Sequence, residues 1–150
     1  MNIFVTVGHT RFESLFKQLD EIHRDEWHFV SQMSDGSYIP KKGEHFSYSD
    51  DIQSHYKKAD VVITHAGAGT VFNLLEMGKP TIVVANTDRV DTHQEDLLRF
   101  VEKSEFAQVC RDLSTLEALL DNVADFTAKP YHSEPFFAAN DIAKVLKLID

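Results

Sequence analysis

Continuous apolar runs alternate along this chain with apolar stripes at helical spacing. Ile3-Phe4-Val5-Thr6-Val7 is a β-rich run that stops at Gly8, which predicts a buried strand ending in a turn. Phe12, Leu15, Phe16, Leu19 and Ile22 recur at helical spacing and predict an amphipathic helix over 13–23, followed by a strand over 27–32. Residues 34–49 hold Gly36, Pro40 and Gly43 among polar side chains and predict an irregular excursion with a short strand at 45–48. Ser49 or Asp50 is placed to cap a helix that runs through Lys58. Val61-Val62-Ile63 leads into the hexapeptide His65-Ala66-Gly67-Ala68-Gly69-Thr70, and Val71, Phe72, Leu74, Leu75 and Met77 lead out as a helix stopped by Gly78. A strand over 80–85, a polar segment over 86–94, a helix carrying Leu97, Leu98 and Val101, and a strand over 106–110 follow. Leu113, Leu116, Leu119, Leu120 and Val123 mark one more helix, and past Pro130 and Pro135 a terminal helix carries Ile142, Val145, Leu146 and Ile149.

Strands alternating with helices predict a single α/β domain over 1–150, a doubly wound, mostly parallel Rossmann-like sheet. In such a sheet every strand-to-helix loop emerges at one edge, so the loop of Gly8, His9, Thr10 and Arg11 lies beside the hexapeptide. Gly67 and Gly69 have no Cβ to keep a ligand off the backbone. The first-turn amides of the following helix have no intrahelical partner and carry the positive end of its dipole, which makes this turn a site for an anion such as a nucleotide diphosphate. Thr70 is placed to cap the helix or reach a phosphate oxygen, and Asn73, three residues on, can hydrogen-bond a ribose or a base edge. His65 can donate to a phosphate or, when charged, offset the charge that develops on a leaving diphosphate.

Composition narrows the ligands. A net charge of −9 with only 15 Lys and Arg argues against nucleic acid as the partner and against a polybasic membrane anchor, since both need a basic surface. No run approaches the roughly 20 apolar residues of a membrane span, and a cytoplasmic protein is expected. Cys110, the single cysteine, lies in an apolar run and is expected to be a buried, reduced thiol. Tyr38, Tyr48 and Tyr56 are expected to pack locally. Asp91, His93 and His65 have no metal-site spacing, so no metal or other cofactor is expected. No Ser stands between Gly67 and Gly69, which excludes a nucleophile elbow, and Phe72 occupies the third position of a dinucleotide fingerprint.

Taken in order, the first strand through Gly8, the stretch from Ala59 to Thr70, Gly78-Lys79-Pro80 with its strand, and His93-Gln94 resemble the C-terminal, donor-binding half of GT-B glycosyltransferases. The chain is similar to stand-alone subunits of two-component enzymes, those of bacterial exopolysaccharide synthesis and the catalytic subunit of the eukaryotic dolichol-linked N-acetylglucosaminyltransferase. The resemblance is carried by residues 1–100. It implies that His65 faces the donor diphosphate, that Gly67, Ala68, Gly69 and Thr70 form the phosphate turn, and that Gly8 and Thr10 approach the diphosphate from the neighbouring loop. His93 and Gln94 match a pair that reaches the hexose. Asn73 departs from the carboxylate that many relatives place on the ribose, and His9 stands where many have a small hydroxyl residue. The implied function is transfer of a hexose from a UDP-sugar to a lipid-linked acceptor. Its implied partner is a membrane-associated, acceptor-binding glycosyltransferase subunit through which alone the chain meets the membrane. The alternatives are a non-catalytic nucleotide-sugar binding module that enhances a partner transferase and, more remotely, a flavodoxin-like redox or signalling domain.

Overall fold

The structure, a computed structural model, describes residues 1–132 apart from positions 90 and 92. The strands are β1 (Asn2–Thr6), β2 (His28–Gln32), β3 (Glu44–Phe46), β4 (Val61–His65), β5 (Thr81–Val84) and β6 (Gln108–Cys110), and the α-helices are α1 (Glu13–Asp20), α2 (Ile52–Lys58), α3 (Ala68–Glu76), α4 (His93–Lys103) and α5 (Leu116–Asp121). The strands form one sheet in the order β3-β2-β1-β4-β5-β6, with every pairing parallel. The terminal helix expected around Ile142, Val145, Leu146 and Ile149 lies outside the described residues.

Alternation along the strands sorts the core into two faces. Ile3, Val5 and Val7 of the first strand segment join Val61, Ile63, Ile82 and Val84 under α1 and α5, packing on Leu15, Phe16, Leu19, Leu116 and Leu120. Phe4 and Val62 point the other way, to Tyr56 of α2 and Leu74 of α3, and Val83 packs among residues of α3 and α4. Strands buried on both faces need continuous apolar runs, which is why β1, β4 and β5 are the most legible segments of the chain.

The boundaries shift in ways that follow from local chemistry. α1 stops at Asp20, where Glu21 and Ile22 tighten into i−3 hydrogen bonds, yet Ile22 stays in the core at 1% exposure. The segment between β2 and β3 is irregular but latched to α1. The Glu13 carboxylate accepts from Ser37 and Tyr38, and the Asp20 carboxylate accepts from the Tyr38 hydroxyl at 2.5 Å and from the Lys41 amide. Asp51, one residue beyond the expected caps, caps α2 by accepting from the Ser54 amide. A 3-10 turn, Leu113–Thr115, capped by Asp112, precedes α5 where a single helix is expected from the spacing. Cys110 is fully buried, its thiol donating to the Asp112 carbonyl and its pKa pushed up by burial.

Candidate functional site

β1 and β4 are neighbours at the centre of the sheet but not in sequence, so their connections leave toward opposite faces and open a crevice at their carboxyl ends. The loops β1–α1, β4–α3 and β5–α4 meet there. Thr10, His65, Ala66, Gly67, Asn86, Arg89, Asp91 and Gln94 line a cleft of about 180 Å³.

The turn into α3 borders this cleft through Ala66 and Gly67. Gly67 is the N-cap and makes no side-chain cap, and the amides of Ala68, Gly69 and Thr70 have no hydrogen-bond partner among the described residues. Three unpartnered donors therefore sit at the positive end of the helix dipole, with Gly69 exposed among them. At Gly69 an added Cβ would meet nothing within 4 Å.

Gly67 has a different reason to be glycine. A Cβ there would sit 2.2 Å from His65 Nε2, and one at Gly8, which has φ +58°, would sit 2.8 Å from His65 Cε1. The imidazole is packed between the two strand-to-helix turns. Burial is the main force on its pKa, which is lowered to about 4, with the Arg89 and His9 charges pushing the same way and a hydrogen bond to the Thr6 backbone opposing them. His65 is thus a neutral ring at pH 7 in the unliganded protein, which leaves the first of its two expected roles, a neutral hydrogen-bond donor, open to it without a proton gained.

Thr70 is the third helical residue, not the N-cap. Its side chain and that of Thr6 lie beside the Tyr56 phenol and oppose the rise that burial gives the Tyr56 pKa. Thr10 donates its hydroxyl to the Val7 carbonyl at 2.9 Å. The Gly8 amide points inward, at 2.9 Å from Gln32 Oε1. Gln94 lines the cleft, but both ends of its amide hold the Asn86 backbone, Oε1 accepting from N at 2.8 Å and Nε2 donating to O at 3.1 Å. His93 is exposed and, like Asn73, does not line the cleft.

Three supporting residues escape a reading by pattern. Gln32, 3% exposed, accepts from Thr6 Oγ1, Val7 N and Gly8 N and donates to Gly8 O and Ser47 O, so one buried amide sets the shape of the β1–α1 loop. Asn86, 6% exposed, donates from Nδ2 to the Arg11 carbonyl and accepts the Asp88 amide. Asp88 in turn accepts from the Ser14 amide at 2.9 Å and from the Ser14 hydroxyl, tying the β5–α4 loop to α1. Local sequence carries no signal for bonds of this range; the polar stretch 86–94 is the only hint. Of the three tyrosines, Tyr38 and Tyr56 pack locally as expected, whereas Tyr48 is 52% exposed and stacks on His9 with ring centroids 5.3 Å apart. No cluster of three or more His, Cys, Asp or Glu side chains suited to a metal occurs among the described residues.

A parallel sheet of this order, with its cleft between the turns that follow β1 and β4, is the Rossmann-like fold of GT-B glycosyltransferase C-terminal domains. MurG of Acinetobacter baumannii superposes with a TM-score of 0.70 at 18% identity, over 98% of this chain and 52% of that one. The solution structure of ALG13 superposes at 0.63 with 22% identity, over 97% of this chain and 96% of the other. The family of glycosyltransferase family 28 C-terminal domains matches residues 2–149, and the chain belongs to it. That match extends well past Phe100, where the sequence resemblance fades. The UDP-N-acetylglucosamine transferase subunit ALG13 of Mus musculus is 35% identical over 129 residues, which is 74% of this chain but only 11% of the mouse protein.

Proposed function

We propose that this chain is the donor-binding subunit of a two-component glycosyltransferase. It holds the nucleotide diphosphate of a UDP-sugar while a hexose passes to a lipid-linked acceptor in polysaccharide or glycan-precursor synthesis. The observation that carries the reading is the row of three unpartnered amides at the start of α3, directly after Ala66 and Gly67, which line the cleft formed with the loops after β1 and β5. Preorganised amides and a helix dipole stabilise charge on a departing diphosphate without reorganising during the reaction. In this reading Ala68, Gly69 and Thr70 bind the phosphates through their amides. His65 donates to the diphosphate as a neutral ring seated on Gly8 and Gly67, with Thr10 at its side. Of the expected sugar contacts Gln94 lines the cleft, with its amide held on the Asn86 backbone, whereas Asn73 and His93 stand outside the lining, and the reading assigns them the ribose and the hexose only as the donor extends beyond it. Similarity to the mouse protein, a UDP-N-acetylglucosamine transferase subunit, supports a UDP-sugar donor and a subunit architecture.

A general base and an acceptor site are assigned to a second, membrane-associated subunit. The proposal assigns membrane contact to that partner; among the described residues of this chain no helix is long and apolar enough to cross a membrane. Calorimetry of the chain with UDP and UDP-sugars, followed by transfer assays with and without the partner, tests the proposal. Transfer to a lipid acceptor at full rate by this chain alone overturns the two-component reading. A pair that keeps full turnover with His65→Ala identifies the chain instead as a non-catalytic nucleotide-sugar module.

A further inference from the structure

A nucleoside diphosphate brings two or more negative charges into a protein whose own net charge is −9. Amide dipoles offset part of that, and His65 is neutral before the ligand arrives. The cations around the carboxyl edge are mostly committed. Arg11 makes a two-bond pair with Asp35 at 3.0 and 3.1 Å, and Lys17 lies over the Tyr38 ring at 5.5 Å. Arg89 differs: it lines the cleft, forms no ion pair among the described residues, and is near enough for its charge to depress the His65 pKa. Of the side chains lining the cleft it is the one with a permanent positive charge. The cleft's carboxylate, Asp91, already accepts the His93 amide at 3.0 Å.

The loop that carries Arg89 is built to hold it there. Asn86 is buried and uses its backbone and side chain in four directions, to Gln94 twice, to the Arg11 carbonyl and to the Asp88 amide. The Arg89 amide itself donates to the Asn86 carbonyl at 3.4 Å, and Asp88 anchors the residue before it to Ser14. Arg89 thus follows an anchored turn, and its guanidinium makes no hydrogen bond or ion pair among the described residues, which leaves it able to meet phosphate oxygens through paired hydrogen bonds.

We propose that Arg89 is the cationic contact for the diphosphate of the donor, reaching the phosphates from the β5–α4 loop in the cleft it shares with His65 and Gly67. This rests on the donor-site reading above, and its test separates the two. The full chain is titrated calorimetrically with UDP, uridine and inorganic pyrophosphate, as wild type, Arg89→Ala and Arg89→Lys, at low and moderate salt. Loss of one charge-assisted phosphate contact predicts that Arg89→Ala binds UDP and pyrophosphate about tenfold or more weakly, with uridine unchanged and a shallower salt dependence. Arg89→Lys keeps the charge but not the paired geometry and is expected to fall between wild type and Arg89→Ala for the same ligands. Equal UDP affinity in wild type and Arg89→Ala overturns the inference and leaves the donor site standing. Parallel loss of uridine and UDP in both variants also overturns it, since the residue then only shapes its loop. A wild-type chain that binds none of the three ligands overturns the donor-site reading itself.

Discussion

Four α-helices and one 3-10 turn, among the described residues, begin where a strand of this sheet or its loop gives out, and one of them differs from the rest. The start of α1 is met by Asp88, that of α2 by Asp51, that of α4 by Asp91 with Glu95 and Asp96 in its first turn, and that of the 3-10 turn by Asp112. The start of α3 has a glycine N-cap, no acid in its first turn and three amides with no partner. A carboxylate stabilises a helix start by satisfying donors and complementing the dipole. Among these starts it is absent at α3 alone, and that is the feature the proposed donor site uses.

The comparison breaks most directly if α3 is made like its neighbours. Gly69→Asp places a carboxylate in open space within the first turn, so the fold is retained and stability is unchanged or slightly higher. The carboxylate repels an incoming diphosphate and competes for the amides, and UDP affinity is expected to fall on the order of a hundredfold, about 3 kcal/mol. Calorimetry together with thermal melting reads both halves; undiminished UDP binding would show that the phosphates lie elsewhere. Gly67→Ala tests the other side of the turn. Its Cβ at 2.2 Å from His65 Nε2 cannot coexist with the ring, which is also confined by Gly8. Displacing the imidazole is expected to cost about 2 kcal/mol in denaturant unfolding and to weaken UDP binding as well.

How much of this was legible follows from the range of the interactions. Gly67, Gly69 and Thr70 announce the open turn because its determinants are local: an apolar strand, small residues and a helical stripe within a few positions. The fold was legible for the same reason, since Val61 to Ile63 or Thr81 to Val84 can be little else than strands buried on both faces. What holds the site together was not legible. Gln32 reaches across 24 positions to Gly8 and Asn86 across 75 to Arg11, and a polar residue that is buried by a distant loop looks, in sequence, like one that faces water. A second constraint on Gly67 escapes the sequence likewise, because the His65 ring that crowds it is confined by Gly8, which meets it only once β1 and β4 lie side by side.

Acid sharpens the contrast between the seated imidazole and the exposed carboxylates. His65 has its folded pKa lowered to about 4 from an ordinary 6.5, so the unfolded chain binds the proton more readily throughout that window. Its contribution to stability is complete above about pH 6.5, declines as pH falls toward 4 and is constant below. The full shift would correspond to about 3 kcal/mol, and partial contact with solvent reduces the expected loss to about 1–2 kcal/mol. Denaturant unfolding at neutral and mildly acid pH, wild type against His65→Gln, isolates this group from the carboxylates, which both proteins share. Identical acid sensitivity in the two would show that the ring is not held neutral by burial.

The smallest effect belongs to a helix start that is already filled. Asp51 accepts the Ser54 amide at 3.3 Å at the start of α2, outside the cleft. Asp51→Ala removes that cap and leaves the amide to water, for an expected loss of roughly 1 kcal/mol in unfolding free energy. UDP affinity should not change, because emptying a helix start creates free amides but not the neighbouring loops, seated imidazole and arginine that surround those of α3. A second UDP appearing in the calorimetric stoichiometry of Asp51→Ala would mean that an uncapped helix alone suffices. One binding event in both proteins would instead assign the selectivity to the meeting of the β1–α1, β4–α3 and β5–α4 loops, with the open helix as one component of the site.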